Sequence, residues 1–137
     1  MASKSFKEIL AWQKAHGFVI KTYKTTKTFP EWERYGLCSQ FQRAAVSIPA
    51  NIAEGYKRMG TADKLHFLNI AQGSLEECRY YILLAKDVGY INLHTHDVLN
   101  SDIEEVSKLL NAYCKGITNH HYAKQEQNQL RNKTDCI

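Results

Sequence analysis

The sequence predicts an all-α protein, an antiparallel up-down-up-down four-helix bundle with a kinked second helix. Three observations carry this expectation. Only 2 Pro and 7 Gly occur in 137 residues, too few breakers for the many turns of a β-sheet fold. Apolar residues recur at three- and four-residue steps in four successive segments, the pattern of amphipathic helices. The links between those segments are short, about 7–10 residues, which places consecutive helices antiparallel.

The first segment reads as a helix from Ser5 to Thr26, with Ser5 and Glu8 at capping-box spacing. Ile9, Trp12, His16, Val19, Ile20 and Tyr23 share one face, and Lys7, Lys14 and Lys21 fall nearly opposite. His16 is expected on that core face as a packing residue. Phe29-Pro30 interrupts the pattern, because the residue before a proline is biased away from helix. The second helix should start between Pro30 and Gly36 and reach Glu54, burying Leu37, Phe41, Ala44, Ala45, Ile48 and Ile52, with Gly55 as its stop. Pro49 lies inside it. The apolar spacing continues in phase through Ile52, so one kinked helix is expected rather than two.

Thr61 is the expected cap of a third helix that ends near Asp87 and Gly89. Its face is Leu65, Leu68, Ala71, Leu75, Cys78, Ile82 and Ala85. The fourth helix starts at Asn92 or Thr95 and carries Leu99, Ile103, Val106, Leu110, Tyr113 and Ile117. Residues 1–117 then form the bundle. Residues 118–137 form a polar tail, partly helical or disordered, with a turn or two of helix and no folded role expected.

Composition and motifs narrow the function. The length suits one domain with its own core. No run of 18 apolar residues exists, and Met1–Leu10 lacks a signal-peptide apolar stretch, so a cytoplasmic protein without a membrane partner is expected. Cys38, Cys78, Cys114 and Cys136 form no CxxC pair and should be reduced, the first three as small core residues. No Glu-x-x-His pair, phosphate-binding loop or nucleophile elbow occurs. His94-x-His96 and His120-His121 lack ligand companions. The expectation is no catalytic site, no cofactor and no metal.

Charge is placed unevenly. The net charge is +4, but residues 1–30 hold Lys4, Lys7, Lys14, Lys21, Lys24 and Lys27 against Glu8 alone. Candidate nucleic-acid contacts are Lys7, Lys14, Lys21, Lys24, Lys57 and Arg58; a solvated face is the competing reading. Asp102, Glu104 and Glu105 form an acidic patch on the fourth helix, expected to be solvated. Gln40, Arg43, Ser47, Asn51 and Glu54 make a polar stripe beside the second helix's apolar face. Half-buried polar groups need partners, from another helix or from another subunit. Trp32, Tyr35 and Tyr56 are either anchors for a protein partner or pack the loops onto the bundle ends.

The pattern Trp12-Gln13 … Ala15 … Tyr23 … Phe29-Pro30 … Glu33-x-Tyr-Gly-Leu37 … Gln40 … Arg43-Ala-Ala-x-Ser47-Ile … Asn51-Ile-Ala-Glu-Gly55 … Arg58 … Phe67-Leu68 … Ala71-x-Gly-Ser74 … Glu77 resembles a bacterial four-helix-bundle family. That family is encoded in intervening sequences of large-subunit ribosomal RNA genes and often labelled a ribosomal protein. The pattern is also similar to the accessory variability protein of diversity-generating retroelements. The resemblance covers residues 6–117 and is densest over Phe29–Gly55. It implies a homopentameric barrel with a basic surface, nucleic-acid association and, in the retroelement branch, contact with a reverse transcriptase. It implies no enzymatic activity.

Two functions follow. One is a non-enzymatic scaffold that holds structured RNA or an RNA–DNA hybrid as a homo-oligomer. The other is a protein–protein adaptor, for example for a reverse transcriptase, with little nucleic-acid binding of its own. One copy at +4 binds phosphates weakly, whereas five copies carry about +20 and repeat every contact. Light scattering should therefore give a mass near five times 15.8 kDa; a mass near the monomer contradicts the pentamer.

Overall fold

The structure is a computed structural model that describes residues 4–135, with side chains as far as Lys133. Cys136 lies outside the described residues. Four helices carry the fold: α1 (Leu10–Thr26), α2 (Leu37–Lys57), α3 (Thr61–Asp87) and α4 (Leu93–Asp135). Single 3-10 turns at Phe6–Glu8 and Glu31–Glu33 precede α1 and α2, and there is no strand among the described residues. Consecutive helices pack together and α4 closes on α1, while the backbones of diagonal pairs stay further apart. Side-chain contacts between neighbours step in opposite directions along the two chains. Gln40 meets Tyr81 and Ser47 meets Ser74; Lys14 meets Glu105 and Lys21 meets Asp102.

The apolar faces of α2, α3 and α4 converge on one core. Phe18, Phe41, Ile48, Ile52, Leu68, Ile82, Ile103 and Leu110 are its largest fully buried side chains. No buried side-chain nitrogen or oxygen among the described residues lacks a hydrogen bond, as a low-dielectric interior requires.

The first helix departs from the sequence expectation in two ways. It begins at Leu10 rather than Ser5. Ser5 caps the preceding 3-10 turn instead, its Oγ accepting the Lys7 N–H at 3.2 Å. Glu8 accepts the Lys4 N–H at 3.1 Å, so the reciprocal box is not closed. The core face is also turned. Ala11, Ala15, Phe18, Val19, Thr22 and Thr26 are buried, while His16, Ile20 and Tyr23 are exposed. The physical reason is that burying the two threonines leaves no polar group unpaired. Thr22 Oγ1 donates to the Phe18 carbonyl at 2.9 Å and Thr26 Oγ1 to the Thr22 carbonyl at 2.9 Å. Gln42 of α2 then donates to Thr26 Oγ1 at 2.9 Å. His16 is not a core residue; its ring stacks on Trp12 at the surface, 5.1 Å between centroids.

Three helix ends also differ. Gly55 does not stop α2, which runs on to Lys57. Gly55 is instead a close approach to α3: a Cβ there would lie 3.2 Å from the Lys64 carbonyl oxygen and 3.5 Å from Phe67 Cβ. Thr61 is the first residue of α3, and Gly60 is its cap, without a side-chain bond. The junction is held by Lys64, whose Nζ donates to the carbonyls of Gly55 at 3.3 Å and Tyr56 at 2.9 Å. Gly89 ends α3 at φ +84°, a left-handed conformation suited to glycine. Asn92 starts α4, its Oδ1 accepting the Thr95 N–H at 2.9 Å. α4 then continues to Asp135, 43 residues in all, well beyond the turn or two expected past Ile117.

Pro49 is buried within α2, and the helix continues on both sides of it. Lacking an N–H, it leaves the Ala45 carbonyl without its helical donor. Packing at this level makes three outcomes testable by denaturant titration. Ile48→Ala removes a fully buried side chain and should cost about 2–5 kcal/mol. Gly55→Val should destabilise by about 1–3 kcal/mol through forced separation of α2 and α3. Gly73→Ala, where an added Cβ meets nothing within 4 Å, should stabilise by about 0.5–1 kcal/mol.

Candidate nucleic-acid interface

Three of the six candidate cations are engaged within the chain. Lys14 pairs with Glu105 at 3.5 Å and Lys21 with Asp102 at 2.5 Å. Arg58 lies 3.5 Å from Glu54 and 3.9 Å from Asp63, with its guanidinium 4.6 Å above the Phe67 ring. The acidic patch on α4 is thus not simply solvated: Asp102 and Glu105 face α1, and Glu104 pairs with Arg79 of α3. The rotation of α1 is responsible. With Phe18 and Thr22 at the core, the flank bearing Lys14 and Lys21 is turned toward α4 rather than away from the bundle. The shallow cavity between them, about 370 Å³, is lined by both signs of charge.

Lys7, Lys24 and Lys57 are exposed and have no carboxylate partner among the described residues. Two of them lie at one end of the molecule. There the N-terminal 3-10 turn packs on α2, and Lys4 and Lys57 line one recess with Phe6 and Tyr56. Lys64 stands at the adjoining start of α3, bound to the Tyr56 carbonyl. His120, His121 and Lys124 come to the same end from α4, lining a recess with Lys64. Lys24 lies at the opposite end. Lys64 and Lys124 join this group without any sign in the sequence, because they come from segments far apart in the chain.

The polar stripe on α2 is satisfied partly across to α3 and partly along α2 itself. Ser74 Oγ donates to Ser47 Oγ at 2.7 Å, and Asn51 Nδ2 donates to the Ser47 carbonyl at 2.8 Å and its Oγ at 3.0 Å. Tyr81 OH donates to Gln40 Oε1 at 3.4 Å, and Glu54 takes Arg58. Arg43 is exposed and makes no such contact. Trp32 and Tyr35 are 79% and 88% exposed, whereas Tyr56 packs partly against the core. The rotation of α1 also leaves a second apolar surface: Ile20 and Tyr23 on α1, with Val46 on α2, stand on the outside, while Trp12 packs partly against the core.

The thiols of the described residues offer no nucleophile. Cys38 and Cys78 are buried and Cys114 half-buried. Burial pushes each of these thiols up, that of Cys78 to about 12. Among the described residues no three His, Cys, Asp or Glu side chains gather as a metal site. No helix there is long and apolar enough to cross a membrane.

The model of the family described as 23S rRNA-intervening sequence protein matches residues 7–112. The chain belongs to this family. A solved structure from Bacteroides thetaiotaomicron, described as a protein of unknown function from the S23 ribosomal protein family, is 28% identical with a TM-score of 0.70. The similarity covers 77% of this chain and 99% of that one. No curated protein matches the chain. The intervening-sequence family match takes in Lys7 through Lys64 but stops at residue 112, so His120, His121 and Lys124 lie on a part of α4 beyond it.

The thiol environment of this family member gives a checkable outcome. At pH 8, iodoacetamide should leave Cys38 and Cys78 unmodified in the native protein and label both in denaturant, read by peptide mass mapping. The folded Cys78 thiol ionises near 12 and the unfolded one near 9.0. Its contribution to stability is thus complete below pH 9 and lost as pH rises toward 12, and Cys78→Ala should flatten that alkaline loss.

Proposed function

We propose that this protein is a non-enzymatic scaffold that binds structured RNA, or an RNA–DNA hybrid, as a cytoplasmic homo-oligomer. The observation that carries the reading is the convergence of Lys4, Lys7, Lys57 and Lys64 on one end of the bundle, where Glu54 and Asp63 are taken up by Arg58 and Glu8 by the Lys4 N–H. Each lysine that meets a phosphate releases condensed counterions, so binding is largely independent of sequence and steep in salt. Lys24 adds a contact at the far end. The family's link to 23S rRNA intervening sequences supports an RNA ligand.

Oligomerisation multiplies this charge. The outward apolar strip of Ile20, Tyr23 and Val46 is the kind of surface a second copy covers, and Arg43 is free to pair across such a contact. A homopentamer is the assembly we favour, by resemblance. A second reading, an adaptor for a partner such as a reverse transcriptase in the manner of the retroelement accessory protein, is favoured by the exposure of Trp32 and Tyr35.

A mobility-shift series with a structured RNA at rising salt tests the proposal. Lys7→Glu, Lys24→Glu and Lys57→Glu together should weaken binding by about tenfold or more at low salt and flatten its salt dependence. Lys14→Gln with Lys21→Gln should change affinity little, because carboxylates already neutralise both. Absence of binding even at low salt would leave the adaptor reading.

A further inference from the structure

We propose that the recess between the α2–α3 connection and α4 takes a single unpaired nucleotide of an RNA strand, its base against the apolar wall and its phosphate among the surrounding cations. The inference rests on the nucleic-acid reading above and assigns it a second, distinct contact. The recess encloses about 550 Å³, within the range of small-ligand pockets. Met59, Tyr113 and Ile117 give it apolar and aromatic surface, while Lys64, His120 and Lys124 line it with nitrogen groups. No carboxylate lines it.

A nucleotide matches both halves of this lining. Its base offers a flat face to an aromatic side chain, and its phosphate offers charge to lysines. A helix or extended peptide would require a longer groove with repeated pockets, and this is one compact space. Two features make it a prepared site. Lys64 is fixed by donation to the Gly55 and Tyr56 carbonyls, and an ammonium has a third proton to give. Tyr113 is held from behind by packing against the core. Met59, in contrast, is 98% exposed at the rim, a large apolar side chain with nothing of its own chain to cover it.

The recess is a property of this chain rather than of the family match. Tyr113, Ile117, His120 and Lys124 all lie after residue 112, where the family match ends. The helical continuation of α4 thus supplies one whole wall, and residues 7–112 supply the other.

The chain has 2 Met, so the full-length protein labelled with ¹³C at the methionine methyls reports directly on the rim. Titration with single-stranded oligouridylate should shift the Met59 resonance saturably. The double variant His120→Glu, Lys124→Glu, at two exposed positions, should weaken oligouridylate binding by about tenfold or more and leave binding of an RNA duplex within about twofold. Lys7→Glu with Lys57→Glu should do the reverse. An unmoved Met59 resonance, or equal loss of both ligands in the His120/Lys124 variant, would overturn the recess while leaving the scaffold reading intact. A polyglutamate peptide that competes as well as oligouridylate would make this a general anion site and overturn the assignment to a nucleotide. Loss of duplex binding by the unmodified protein would instead count against the scaffold reading.

Discussion

Thr22 and Thr26 sit inside the bundle because each hydroxyl is satisfied by a carbonyl one turn back on α1. That local hydrogen bonding sets the rotation of α1, and much of the surface follows from it. Phe18 reaches the centre beside Phe41, 6.3 Å between ring centroids. Lys14 and Lys21 are carried to the α4 side and meet acids there. Ile20 and Tyr23 are left outside. One helix face therefore divides the lysines into those spent on the fold and those available to a ligand. The exposed pairs contribute little stability individually, of order 1 kcal/mol or less. Their larger effect is on the electrostatic map.

The junction of α2 and α3 organises the opposite side of that map. Gly55 lets the two helices approach, and Lys64 reaches back across the gap to hold the last carbonyls of α2. A cation at a helix C-terminus is favoured by the dipole there. The same placement brings a positive group to the end where the N-terminal turn and the later part of α4 also arrive. Tethered by the carbonyls, Lys64 would give up less freedom on meeting an anion than a loose surface lysine.

Legibility in the sequence followed side-chain size. On α2, α3 and α4 the core positions are leucine, isoleucine and phenylalanine at helical steps, and Phe41, Ile48, Leu68, Ile82, Ile103 and Leu110 are buried as that spacing requires. On α1 the buried face sets Phe18 and Val19 among small or polar Ala11, Ala15, Thr22 and Thr26, while Ile20 and Tyr23 lie outside, so hydrophobicity pointed to a rotated stripe. The Lys21–Asp102 and Lys14–Glu105 pairs were hidden for another reason, since each joins residues more than eighty positions apart. The basic residues near the chain start were recognisable as a group. Their gathering with Lys64 and Lys124 required the return of α4 to the same end. Gly55 was misread because a glycine near a helix end signals termination and close packing equally well.

From Tyr122 to Lys133 every residue of α4 is exposed. A polar helix of this kind has little cohesion of its own in water and inherits its direction from the packed turns before it. At about 1.5 Å per residue, the stretch from Tyr122 to Asp135 extends roughly 21 Å. The rod leaves the bundle at the end where Lys7 and Lys57 lie, so whatever reaches those lysines passes beside a polar helical surface with no apolar face to hold it.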